Sequence, residues 1–148
     1  MRQMILVLVI VTILTSTIGH SQSQENTGNI IVPITGFRND KGVIKVALFN
    51  NKNGFPDKGN KAIKVLDGII ENKKSEVIFQ NIPYGVYAIG IFHDEDKNGK
   101  MKTGLFGIPK EGYGASNNAK GFMGPPKYDD AKFELKSSTT NIEIKVCY

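Results

Sequence analysis

From residue 30 onward, apolar and polar positions alternate along much of the chain. Ile30, Val32 and Ile34 fall on one side of Ile31, Pro33 and Thr35 before Gly36, the period of two that a half-buried strand requires. Ile44, Val46 and Leu48 repeat the pattern against Lys45, Ala47 and Phe49. Asn39-Asp40-Lys41-Gly42 supplies turn chemistry between these runs, so a hairpin is expected. Pro33 has no N–H for a ladder, which places the first run at a sheet edge or on a bulge. A loop rich in Asn, Gly and Lys follows from Asn50 to Asn60, pinned by Phe55-Pro56. Two more strand-like runs, Ala62 to Ile70 and Ser75 to Gln80, flank the polar Glu71-Asn72-Lys73-Lys74. Val86 to Phe92 is apolar on both faces apart from Gly90, as a central buried strand would be. Lys132 to Leu135 and the alternating Ile142, Ile144 and Val146 close the chain. No window holds a helical period over three turns. About seven short strands with turns between them predict an all-β fold, a single two-sheet antiparallel sandwich.

Two stretches break the simple alternation. In Asn81-Ile82-Pro83-Tyr84-Gly85-Val86-Tyr87 a polar turn feeds straight into the apolar strand. This resembles the turn-and-strand signature of transthyretin-like and carboxypeptidase-regulatory-like sandwiches, and the resemblance implies that Tyr87 helps hold the corner. From residue 94 to 130 strand pattern is scarce and glycine recurs at 99, 104, 107, 112, 114, 121 and 124. A compact domain seldom carries so long a loop unless it is functional or disordered. Disordered segments are poor in aromatics, whereas Phe106, Tyr113, Phe122 and Tyr128 punctuate this one and Pro109, Pro125 and Pro126 stiffen it. An ordered loop is therefore expected, packing its own aromatics against the end of the sandwich, where binding sites collect.

The N-terminus changes the setting. Met1, Arg2 and Gln3 form a positive head, Met4 to Ile13 is almost wholly apolar, and small and polar residues follow to Ser21. That order reads as a secretory signal peptide over residues 1–21, with cleavage after Ser21 or alternatively after Gly19. A transmembrane anchor needs about 20 apolar residues, more than this run supplies. No Cys follows the run to accept a lipid. The mature chain, residues 22–148, is about the size of one domain with its own core, exported to the periplasm or secreted.

Composition narrows the partners. Without Arg2 the chain has 18 basic against 14 acidic residues, its lysines spread along every segment, and Arg38 as its one arginine. Nucleic-acid readers cluster Arg and Lys among aromatics, so the basic surface is read as solvated and nucleic acid is excluded. No membrane span remains after cleavage. Cys147 is the single cysteine, which forbids an intrachain disulfide and leaves stability to the core. It is read as an inert thiol, with pairing to another chain as the alternative. With His20 in the leader, His93 is the one mature histidine, and a His-rich metal site is excluded.

The runs His93-Asp94-Glu95-Asp96-Lys97-Asn98-Gly99-Lys100, Gly107 through Asn118 and Gly124-Pro125-Pro126, together with the Gly36 to Gly42 connection, resemble the bacterial family called domain of unknown function 2141. The likeness extends over nearly the whole mature chain. It implies an exported β-sandwich of bacterial origin and carries no established activity.

Three chemistries are weighed for the loop. Asp94-x-Asp96-x-Asn98-Gly99 sets oxygens at alternate positions and a glycine at the sharp bend, the first half of an EF-hand-type calcium loop, with Lys100 offering its backbone carbonyl. Lys102 at the ninth position and Leu105 at the twelfth depart from that pattern, and Glu111 is the residue able to fold back as a ligand. The bland alternative is a polar turn whose Asp side chains bond their own backbone. Hydrolysis would use His93 beside Asp94 with Glu111, Tyr113 and Ser116 downstream, but no nucleophile elbow or metalloprotease motif accompanies them. A non-catalytic binding or accessory module of the cell envelope is the preferred reading. Its candidate ligand residues are His93, Glu111, Tyr113, Ser116, Asn117 and Asn118, facing an envelope protein, a peptide or a carbohydrate. The hydrolase and a calcium-stabilised surface module are the alternatives.

Overall fold

A computed structural model describes residues 26–148; the expected leader, residues 1–21, lies outside the described residues. The described residues build nine strands: β1 (Thr27–Thr35), β2 (Val43–Phe49), β3 (Lys64–Gly68), β4 (Ser75–Pro83), β5 (Gly85–Asp94), β6 (Tyr113–Ala115), β7 (Phe133–Leu135), β8 (Thr139–Asn141) and β9 (Ile144–Lys145). A single helical turn, α1 (Tyr128–Ala131), precedes β7. One sheet runs β4-β1-β8 with β9 also on β1, and the other runs β3-β2-β5-β6 with β7 also on β5. Neither closes on itself, so the all-β two-sheet sandwich expected from the alternation is what forms.

The alternation works because successive side chains point to opposite sides of a strand. Ile30, Val32 and Ile34 of β1 and Val77, Phe79 and Ile82 of β4 meet Ile44, Val46 and Leu48 of β2 and Tyr87, Ile89 and Ile91 of β5. Phe79 and Ile89 are fully buried, and each such side chain contributes roughly 1.5–3 kcal/mol by leaving water. As expected of an apolar run, β5 is central: β2 lies along one edge, and β6 and β7 share the other. The Tyr87 hydroxyl donates to the Pro83 carbonyl at 2.8 Å and ties the corner into β5.

Four expectations are corrected. β1 and β2 are not a hairpin: the 36–42 connection carries the chain from one sheet to the other, sinking Phe37 into the core on the way. β1 is not an edge strand, since β4 flanks it on one side and β8 and β9 on the other. Pro33 is tolerated there because the parallel ladder lapses opposite it. The Ile31 and Thr35 carbonyls accept from the Ile142 and Val146 N–H groups, while the register runs from Ile31–Asn141 to Ile34–Ile144 with no ladder partner opposite Pro33. The missing proline donor is what such a gap requires. The strand's bulge lies elsewhere, between Gly28 and Ile30. The sandwich is not wholly antiparallel either, because β8 and β9 run parallel to β1.

The fourth correction concerns the 94–130 loop. It is tied down by β6, which pairs with β5, and by Tyr128, whose ring stacks edge-on against Phe55 at 5.8 Å. Phe55 in turn packs on Phe49, and the glycine at position 90 leaves room for Pro56, whose carbonyl would lie 2.9 Å from a Cβ there. The loop's aromatics do not all pack, however. Phe106 is 91% and Phe122 95% exposed.

Candidate functional site

The end of β5 delivers two chemically capable side chains to opposite sides of its sheet. His93 follows Ile89 and Ile91 inward, and Asp94 follows the outward set, because period two allows neighbours nothing else. His93 is fully buried, edge-on to Phe37 at 5.2 Å. Its Nε2 lies 2.6 Å from the Lys41 carbonyl and its Nδ1 2.7 Å from the Tyr148 hydroxyl. A carbonyl only accepts, so Nε2 carries the proton toward Lys41. The Tyr148 hydroxyl accepts from the Arg38 N–H at 3.2 Å and donates to Nδ1. Both ring nitrogens are thereby committed. Burial raises the Tyr148 phenol above its ordinary value, which keeps that donor protonated.

On the outer side a carboxylate cluster forms. Asp94 is fully buried, its two oxygens accepting from the Asn98 N–H at 3.0 Å and the Gly99 N–H at 2.8 Å. Asp96 receives the Asn98 N–H at 3.3 Å and the Lys102 ammonium at 3.1 Å. The Asn98 side-chain oxygen accepts from the Lys100 N–H at 2.7 Å. Glu111 arrives from the far side of the loop and is 2% exposed. Its oxygens accept from the Glu95 N–H at 3.0 Å and the Lys102 N–H at 2.8 Å. One carboxylate oxygen each from Asp94, Asp96 and Glu111 lies within 4.8 Å of the others.

Cations line the same end. Arg38 pairs with Glu95, donates to the Lys110 carbonyl at 3.2 Å and stacks over the Tyr148 ring at 4.5 Å. Arg38, Glu95, Asp96, Lys102, Lys110 and Glu111 enclose an open cleft of about 450 Å³. Burial works to raise the Glu95 carboxyl. Hydrogen bonds from Asn39 and Arg38, and the Arg38 charge, outweigh burial and hold the carboxyl below its ordinary value. The Lys102 ammonium does the same for Asp96, and Asp96 raises Lys102 in return.

The remaining residues singled out from the sequence lie apart from this cleft. Ser116 is buried beside β5, accepting from the Ile89 N–H at 2.9 Å and donating to the Ala131 carbonyl at 2.6 Å. Asn117 and Asn118 adopt left-handed backbone, which Asn tolerates better than most residues. Their amides bond the Lys132 carbonyl and the Lys145 N–H. Tyr113 is partly exposed on β6 and exchanges backbone bonds with Cys147. Asp94, Asp96 and Glu111 are thus brought together, while His93 and Ser116 are sealed in separate places. Arg38 and Tyr148 carry no motif; the one signal for Arg38 is that it is the only arginine besides Arg2.

No described helix is long and apolar enough to cross a membrane. No curated protein and no solved structure matches the chain. One family model does match, over residues 32–143, and its span takes in most of both sheets and every residue of the carboxylate cluster. The chain therefore belongs to the bacterial family described as uncharacterized protein conserved in bacteria (DUF2141).

Proposed function

We propose that this protein is an exported, non-catalytic binding or accessory module of the bacterial cell envelope, its loop end braced by a calcium ion between Asp94, Asp96 and Glu111. The Asn98 side chain and the Lys100 carbonyl supply further oxygens. The observation that carries the reading is the convergence of two buried carboxylates and a third exposed one on a loop with Asp-x-Asp-x-Asn-Gly spacing. An ionised carboxylate has about four lone-pair sites, and Asp94 and Glu111 each use two. The others are out of water and near one another, where a hard dication wanting several oxygens lowers their energy. The non-catalytic part rests on His93, which has no free nitrogen for a substrate. Export rests on the leader pattern at residues 1–21.

Calcium is expected to raise the melting temperature and a chelator to reverse the rise. An ion that binds only the folded state adds about 2.7 kcal/mol at a hundred times its dissociation constant. Glu111→Gln should abolish the shift, and Lys102→Ala, which frees Asp96 from its ammonium, should enlarge it. Titration calorimetry showing no heat at millimolar calcium, with no change in melting, would remove the calcium brace.

A further inference from the structure

Two excursions of the 94–130 segment end in large apolar side chains that touch little of the body. The first is a tight hairpin: the Lys110 N–H donates to the Lys102 carbonyl at 2.8 Å, and the Gly104 N–H to the Ile108 carbonyl at 2.7 Å. At its tip Leu105, Phe106 and Ile108 are 78%, 91% and 63% exposed. The second closes tightly around Gly121, whose side a Cβ would drive into the Gly124 carbonyl, and presents Phe122 and Met123, 95% and 93% exposed. A Cβ added at Gly107 or Gly124 would meet nothing, so both tips stand clear. Both also hold a bulky residue in left-handed backbone, Phe106 at φ 58° and Met123 at φ 56°. That conformation is costly for such residues and collects at functional sites.

Charge identifies what the tips meet. Residues 97–110 contain Lys97, Lys100, Lys102 and Lys110 and no acid, and residues 119–127 contain Lys120 and Lys127 and no acid. All 14 acids lie outside these two segments; Asp96 and Glu111 flank the first, and Asp96 pairs with Lys102, which leaves Lys97, Lys100 and Lys110 as its outward cations. Each tip therefore repeats one arrangement: apolar side chains at the extremity and exposed lysines set back along the arms. We propose that the 102–110 hairpin, seconded by the 120–127 turn, docks onto a membrane surface bearing anionic lipid headgroups. The apolar tip enters the acyl boundary while the lysines stay at headgroup level. A narrow convex tip with cations behind it suits this layered partner. A protein interface would instead bury the anchors in a packed, charge-depleted centre. The proposal is independent of the calcium reading, since the lysines and the apolar tip need no ion.

Co-sedimentation of residues 22–148 with vesicles tests it. That span carries both sheets and the core, and it omits Met4 to Ile13, which would bind lipid on its own account. In EDTA and low salt, the protein is expected to pellet with vesicles of phosphatidylcholine containing phosphatidylglycerol and not with phosphatidylcholine alone. Leu105→Ser with Phe106→Asn and Ile108→Ser should weaken binding at least about tenfold while leaving the melting temperature unchanged. The chain has no tryptophan, so Phe106→Trp provides a single reporter whose emission should shift to the blue on anionic vesicles. Absence of pelleting with the anionic vesicles overturns the proposal and leaves a protein partner for the tip. Pelleting that the triple variant leaves intact also overturns it, as mere adsorption of a basic protein.

Discussion

At Glu95 burial and ion pairing pull one carboxyl in opposite directions, and pairing prevails. Its folded-state pKa is depressed from an ordinary value of 4.5. A depressed carboxyl contributes stability that is fully present above the unfolded value and is lost as pH falls through the folded one. Acidification below about pH 4.5 should therefore erode part of the protein's stability through Glu95. Glu95→Gln, which cannot titrate, is expected to melt lower near neutrality and to lose less on acidification. Melting temperatures from about pH 6 to about pH 3 would decide it, and parallel curves for the two proteins would refute the account. At this scale the spacing of Asp94 and Asp96 was legible, because a short loop brings its own carboxylates together. The partners Arg38, Lys102 and Tyr148 were not, because each reaches the site through a fold that residue types alone do not describe.

Among the elements, the outer edge of β5 shows how a serine substitutes for a strand. β6 covers residues 90–92 and β7 covers 85–87, leaving Ile89 between them without a strand partner on that edge. The Ser116 hydroxyl fills the gap, taking the Ile89 N–H and giving its own proton to Ala131. Ser116→Ala removes the acceptor and leaves a buried N–H unpaired, a loss of about 1–3 kcal/mol. Denaturant melts should show the shift, and hydrogen exchange should show the Ile89 amide losing protection. An unchanged midpoint would mean that water replaces the hydroxyl. The sequence offers Ser116 as a ligand contact, with a nucleophile as the alternative. It takes the pairing of β5 with both short strands to show which bonds the hydroxyl makes.

For the molecule as a whole, one core joins the two sheets: Phe79 of the first belongs to the same buried cluster as Leu48, Ile89 and Leu135 of the second. Without a disulfide, packing of this kind must hold the sandwich together. Phe79→Ala should cost roughly 3–5 kcal/mol and lower the melting temperature by roughly ten degrees or more. The transition should stay single, with near-ultraviolet and far-ultraviolet signals coincident. Two separate transitions would show that the sheets unfold independently.

Period-two alternation, turn residues and the unbroken apolar run of β5 determined that this chain forms strands, and that the strands form a sandwich. Those signals are local, written in residues that touch or nearly touch along the chain. Which strands pair, and in which direction, was decided only in three dimensions: a run such as β1 has the same side-chain faces whether its neighbours run with it or against it. The carboxylate cluster shares that dependence. Glu111 lies 17 positions beyond Asp94 in the sequence, and it meets Asp94 only because β6 turns back along β5.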